Sequence, residues 1–384
     1  MHTGKRYSAT EGIYLEKEIR RIQRLGTASL GVSIPKEWAK ASGFKVGSML
    51  NMTLSDDGNI VISPPDAVTP EFHTDCVVHA DSCPDEKLIL RTIIGCYIAG
   101  YDTIKVTSAG ALTENQNEKV RLAVDMLTGV TVVEQSSTHV LLEVMVQPPN
   151  FPLMSMIRRL FSLSSLMVEK TLSTVFHSQA ESYAEILKME TDIDRLYRLI
   201  LRLLLLSARD KDLARQIGID DARHLLGDRA ISASLEFVGD LCEQLIRQFT
   251  EILPPGSEEN TLNDEVKKLS SMFHKLSTST SSCLFEHDLN AASEALDSAS
   301  ILEKECWSGM KMIRNNGRNR KKAGTTSGED RTGRYSLLFS STRNIVKEYE
   351  LIVQVMMNRF IESPSQKFPY LEIGNRNLNY ESVD

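Results

Sequence analysis

The spacing of apolar residues changes twice along the 384-residue chain. Between residues 15 and 64 the alternation is strand-like: Leu30, Val32 and Ile34 alternate with small residues, and Leu50, Met52 and Leu54 with polar ones. The turn Asp56-Asp57-Gly58-Asn59 then leads into Ile60 and Ile62, as in a hairpin. Pro35 stands where a helix begins without needing a donor, and Gly43 where it should stop. Strand, short helix and hairpin are predicted over 15–64. A unit this small buries too little surface to be stable alone, so pairing with a second copy or with the rest of the chain is expected.

A proline-punctuated linker, Ser63 to Pro70, opens a second pattern over 72–150. The strand CVVHAD precedes a helix near 84–99, the strand TIKVTSA, a helix near 114–128 and the paired strands VTVVEQ and HVLLEVMV. Gly100 and Gly129 are read as helix stops. This is a small α+β layer of a kind that positions neighbouring parts or binds a small effector. Its strand-to-helix turns carry no glycine-rich phosphate loop, which argues against nucleotide binding.

From 153 to 363 the period becomes helical. Six helices are expected, near 153–178, 181–208, 220–252, 259–287, 291–314 and 334–362. Their order and lengths repeat, with Ile246 aligned on Ile352, so a bundle of two three-helix repeats, about 153–252 and 259–363, is predicted. Leu201 and Leu203 to Leu206 are apolar on every side of their helix, which implies burial between layers. The polar, glycine-rich stretch 314–334 is expected to be a disordered loop, with a second anion contact as an alternative. The fold class is therefore multidomain: a β-rich head, an α+β middle and an all-α body.

Charge divides the chain differently from hydrophobicity. The formal net charge is −7, yet the first fifty residues hold nine Lys/Arg against four Asp/Glu. A basic head on an acidic body implies different partners for the two parts. The six cysteines show no CxxC spacing, so neither a disulfide framework nor a thiolate zinc site is indicated. No signal peptide is evident, and LYRLILRLLLL at 196–206 is too short and too charged to span a bilayer. A cytoplasmic location is expected.

Two acidic pairs stand out. Glu190 and Asp194 are spaced i and i+4 on one predicted helix, and Glu236 and Asp240 on the next. Like charges at that spacing repel, and if the two patches face each other a hard cation is the simplest compensation. Magnesium, manganese, iron and zinc are the candidates. An ordinary solvated stripe of Glu236, Asp240, Glu243 and Arg247 remains open on spacing alone. The dipeptide His287-Asp288 is read as a helix-end pair. No nucleophile is spaced to meet a base, so a binding protein rather than an enzyme is expected.

The motifs METDID and SLEFVGD resemble the paired ExxxD motifs of the PhoU family, regulators of phosphate uptake built from two three-helix repeats whose acidic motifs hold metal ions. The resemblance implies that Glu190, Asp194, Glu236 and Asp240 are ligands. In the second repeat Glu303 keeps an acidic position, Trp307 replaces the next, and Thr342 and Val346 replace the other pair, which implies one metal cluster rather than two. Residues 19–54, IRRIQRLGTASLGVSIPKEWAKASGFKVGSMLNMTL, are similar to AbrB-like domains (SpoVT-AbrB, MazE-like), which pair as interleaved hairpin dimers and bind DNA. That likeness implies Arg21, Arg24 and Lys36 as DNA contacts, with Arg20 and Lys40 on phosphates. The expectation is a dimeric transcriptional or signalling regulator of phosphate uptake. The alternatives are an adaptor that docks on a phosphate transporter or sensor kinase, and a metal-dependent phosphohydrolase.

Overall fold

The structure is a computed structural model and describes residues 18–54, 58–64, 75–174, 180–252, 263–322 and 329–362. Two units divide the chain, Met1–Phe72 and His73–Asp384. In the first, β1 (Gln23–Arg24) pairs antiparallel with β2 (Leu30–Gly31), and β3 (Asn51–Leu54) with β4 (Ile60–Ser63). Between the two ladders lies α1 (Lys36–Ala41), started at Pro35 and followed by Gly43 at φ 73°, as the sequence predicts. Gly58 takes φ 77° before β4, while Asp56 and Asp57 of the predicted turn lie outside the described residues. Among the described residues of this unit none is buried: Leu30, Val32, Met52, Leu54 and Ile60 all face outward from a single chain.

The second unit begins with a four-stranded sheet in the order β5-β6-β8-β7, where β5 is Asp75–His79, β6 Thr103–Thr107, β7 Val130–Gln135 and β8 His139–Val144. The β5–β6 pair is parallel and the other two are antiparallel. Parallel pairing requires a crossover, supplied by α2 (Glu86–Ala99), which Asp85 caps by accepting from the Leu88 N–H at 2.9 Å. The helix α3 (Glu114–Asp125) opens on a Thr113/Gln116 capping box. Period-two burial marks one face of the sheet: Val78, Ile104, Val106, Val140, Leu142 and Val144 lie under Ile89, Ile93, Tyr97, Val120 and Ala123 of the two helices. Gly100 stops α2 in the left-handed conformation, φ 97°. The predicted stop at Gly129 differs: α3 ends at Asp125 with Met126 as its cap, and Gly129 instead turns the chain into β7. The side chain of Val146 lies so close that a Cβ at Gly129 would be 2.7 Å from it.

The helical body comprises α4 (Leu153–Thr174), α5 (Ala180–Ser207), the short α6 (Lys211–Gln216), α7 (His224–Ile252), α8 (Asn263–Glu286), α9 (Leu289–Lys322) and α10 (Glu329–Glu362). The DKD break is itself helical, because Asp210 accepts from the Asp212 and Leu213 N–H groups and so starts α6. Helices α4, α5 and α7 pack pairwise, as do α8, α9 and α10, and α4–α8 and α7–α10 contacts join the triplets. The sequence reading of 314–334 as a loop is corrected at its two ends, since α9 runs on to Lys322 and α10 starts at Glu329, while 323–328 lie outside the described residues; polarity and a single glycine in each helical end do not break a long helix that lacks proline. His287 takes φ 56°, and Asp288 accepts from Asn290 and Ala291, so that dipeptide is the helix-end pair expected.

The leucine-rich end of α5 lies between the α+β layer and the bundle, packing on α2. Leu201, Leu203 and Leu204 are buried there and Leu206 lies against Gly100, but Leu205, expected to be buried with them, is exposed. In the same place Arg202 is 1% exposed: it donates to the Tyr97 and Tyr101 carbonyls at 2.7 and 2.8 Å and to Asp102 Oδ1 at 2.6 Å. A guanidinium there satisfies acceptors left over at the C-terminal end of α2 and meets its negative dipole end.

Candidate cation site and basic strand

The apolar stripes of α5 (Ile186, Met189, Ile193, Leu196) and α7 (Leu235, Val238, Leu241, Cys242, Leu245) face the bundle core, which fixes the rotation of both helices. The two ExxxD motifs are thereby carried to the edge of the α5–α7 seam. Gly239 lets the helices approach, since a Cβ there would lie 3.3 Å from Ile193. Glu190, Asp194 and Asp240 each present a carboxylate oxygen within 4.8 Å of the others. Glu236 stands beside this trio and feels the charges of Asp240, Asp194 and Glu190. Three of the four residues singled out from the sequence therefore converge, and Glu236 lies within electrostatic range of them.

The electrostatics of the cluster are unfavourable for four bare carboxylates. Burial first, and then Asp194, Glu243 and Asp240, raise the Glu190 carboxyl to about 7. Burial, Asp240 and Asp194 raise that of Glu236 to about 7 as well, and Asp240 is raised in the same sense. Arg198 offsets this in part: its Nη2 donates to Asp194 Oδ2, while its Nη1 donates to the Met126 carbonyl at 3.4 Å. Its neighbour Arg195 donates to the Asp125 carbonyl. The acidic cluster is thus wired to the C-terminal end of α3 in the α+β layer. Oxygen donors without thiolate or imidazole suit a hard cation, and partly buried carboxylates with raised proton affinity fit that role.

Sequence spacing missed Arg198 and treated Glu243 as part of a solvated stripe. Asp194 and Arg198 stand four apart on α5, so the pair was in view. The carbonyl that Arg198 also reaches lies on a different element, which spacing does not reveal.

The second repeat corrects the alignment by one residue. Laying 231–249 over 338–356 makes the buried positions coincide at every place except Leu241 and Glu348. Ile246 then falls on Val353. Thr342 and Val346, read from the sequence as the replaced acidic pair, are buried in the core. Arg343 and Lys347 occupy the positions of Glu236 and Asp240. They face Glu303, with Arg343 Nε 3.0 Å from Oε1 and Lys347 Nζ 2.8 Å from Oε2, and hold its carboxyl below the usual range. Arg343 also lies over the Trp307 ring, 4.9 Å from its centroid.

In the first unit Arg20, Arg21, Arg24, Lys36 and Lys40 are all exposed. Arg24 lies in β1, opposite Leu30, with Arg20 and Arg21 just before it. Lys36 and Lys40 belong to the first and last turns of α1. Arg20 pairs with Glu18.

Residues 157–248 match the family model of the PhoU domain. The chain carries a PhoU domain. Residues 23–69 match the family described as antidote-toxin recognition MazE, bacterial antitoxin. The PhoU match takes in the three helices of the first repeat and the four acidic residues, and it stops before the repeat in which Arg343 and Lys347 replace two of them. Arg24, Lys36 and Lys40 lie within the MazE match, and Arg20 and Arg21 precede it. No curated protein and no solved structure matches the chain. Both matched families are regulatory, and among the described residues no helix is long and apolar enough to cross a membrane.

Proposed function

We propose that the protein is a regulator of phosphate uptake that binds duplex DNA as a homodimer through its MazE-like unit and reads phosphate status through a cation held by the PhoU domain. One observation carries the sensing half: three carboxylates from two helices converge within 4.8 Å, and the arginine that offsets them also grips the α+β layer. A hard divalent or trivalent ion would be held by Glu190, Asp194 and Asp240, with Glu236 at hand, and would supply positive charge that the cluster lacks. Once Asp194 has such a partner, Arg198 is released from it and its hold on Met126 changes. Cation occupancy is then a signal passed to the α+β layer.

The DNA half is supported by the MazE match and by five exposed cations on β1, α1 and the residues preceding them. Uncovered apolar residues throughout that unit support pairing with a second copy, since a lone chain leaves them in water. Fluorescence titration of promoter fragments with the purified protein tests the reading. Submicromolar binding that weakens as salt rises, and that is lost in Arg21→Ala/Arg24→Ala, is the expected outcome. A protein that binds no duplex at low salt would refute it.

A further inference from the structure

Two of the six cysteines are brought together by the α+β layer. Period-two alternation in β5 turns Cys76 to the covered face of the sheet, with Val78, and the helical period of α2 puts Cys96 on the stripe of Ile89 and Ile93. Both side chains are half-buried and pack against the same apolar core, at the seam where α2 lies on β5. Their thiols are hydrogen-bonded to each other, with Cys76 donating and Cys96 accepting. That bond outweighs burial at Cys96 and lowers its thiol to about 7, while at Cys76 the bond and burial both push the thiol up. The other four cysteines differ. Cys242, Cys283 and Cys306 are buried, and burial pushes each thiol up to about 12. Cys83 donates to the His79 carbonyl at 3.6 Å and is likewise raised by burial.

We propose that Cys76 and Cys96 are a reversible dithiol–disulfide couple, oxidised by small-molecule disulfides with Cys96 as the attacking thiol and Cys76 as the resolving one. The Cys96 thiolate attacks one sulfur of the small disulfide, whose S–S bond breaks and releases a thiolate. The Cys76 sulfur gives up its proton, attacks the Cys96 sulfur of the mixed disulfide and expels the second thiolate. Both released thiolates take up the protons the two cysteines have lost, so one external disulfide is reduced to two thiols as two protein thiols are oxidised. Sulfurs already in hydrogen-bond contact are within closing reach of each other. A nucleophile with a lowered proton affinity, partly exposed and beside a second thiol, is the arrangement that thiol exchange requires. The bond would act on a vulnerable element: β5 is an edge strand, paired only with β6. Oxidation staples it to the last turn of α2, next to the Tyr97 carbonyl that Arg202 holds. The inference uses neither the DNA-binding nor the cation-binding reading, so it stands or falls apart from both.

The test equilibrates the full-length protein in glutathione buffers, at ratios of reduced to oxidised form from roughly 1000:1 to 1:1. Samples are quenched with acid, alkylated, digested and mapped by mass spectrometry. A single disulfide, Cys76–Cys96, should grow in as the buffer becomes more oxidising and disappear with dithiothreitol, while the other four cysteines stay alkylated. Hydrogen exchange at 75–79 should be slower in the oxidised protein. Two single variants read the order of attack, with circular dichroism verifying that each keeps the fold. Cys76→Ser should accumulate glutathione on Cys96, because the resolving sulfur is gone, whereas Cys96→Ser should take up glutathione at Cys76 about tenfold more slowly. The wild-type mapping needs neither variant. Absence of the Cys76–Cys96 disulfide at every ratio would overturn the inference, and so would scrambled pairing among the six cysteines or oxidation that proceeds only in urea. Faster uptake at Cys76 than at Cys96 in the two variants would overturn the assignment of Cys96 as the attacking thiol.

Discussion

Arg198 holds Asp194 with one arm and the backbone of Met126 with the other. A single side chain therefore joins an acidic cluster on α5 and α7 to the end of α3. If the cluster takes a cation, Arg198 and the ion compete for the same carboxylate. Arg198→Met should therefore bind manganese or magnesium more tightly, by about tenfold, corresponding to about 1.4 kcal/mol. Isothermal calorimetry would measure this, and hydrogen exchange at 122–128 should rise in the same variant, because the Met126 carbonyl loses a donor.

The raised carboxyls set a direction for pH. Glu190 and Glu236 titrate near 7 in the fold and at ordinary carboxylate values when unfolded, so between these limits the folded state binds more protons. Stability should fall as pH rises from about 4.5 to 7 and level off above. Because these groups are partly solvated, the loss is about 1 kcal/mol in all, or roughly 2–4 °C in Tm. A divalent cation should cancel it above pH 7. Thermal melts from pH 5 to 8, with and without manganese, check both statements.

Neutralising the cluster should separate its two effects. Glu190→Gln/Asp240→Asn removes repulsion, so without metal it should be more stable than the parent above pH 7, by about 0.5–1 kcal/mol. The same variant should lose the Tm increase that manganese gives the parent. Elemental analysis of both proteins, before and after a chelator, gives an independent readout.

The second repeat offers a gain-of-function test. Arg343→Glu/Lys347→Asp places two carboxylates opposite Glu303, in the arrangement that Glu236 and Asp240 have opposite Glu190. A second equivalent of bound manganese is expected by calorimetry, with the first site unchanged.

Arg202 is buried on three acceptors, and truncation would take the guanidinium from the Tyr97 and Tyr101 carbonyls and from Asp102 and leave a cavity in its place. Arg202→Ala should cost about 3–5 kcal/mol. Urea denaturation would measure the loss, and limited proteolysis should show cleavage between the α+β layer and the bundle at lower protease concentration.

Much of this was legible from the residues. The helix beginning at Pro35, the six long helices, the helix-end role of His287-Asp288 and the burial of Leu201 and Leu203 follow from local periodicity and capping, which are properties of consecutive residues. Convergence of Glu190, Asp194 and Asp240 followed from the i, i+4 spacing together with a guess that two helices face each other. The register of the second repeat was misjudged by one because aligned letters favoured Ile246 on Ile352, whereas packing compares buried faces. Arg202, charged yet inside, was invisible because its acceptors come from elements about a hundred residues earlier in the chain. The helical state of 314–322 is not legible in composition, because polar residues and one glycine lower helix propensity without breaking a helix that no proline interrupts.

Among its described residues the MazE-like unit keeps no side chain hidden within a single chain. On the pairing proposed above, folding of that unit and association are one bimolecular event, governed by how many copies a cell contains. Dilution alone would then dissolve the proposed DNA-binding surface while the PhoU domain, with its own interior, stays intact, so changing the rate of synthesis would switch one half of the molecule and leave the other running.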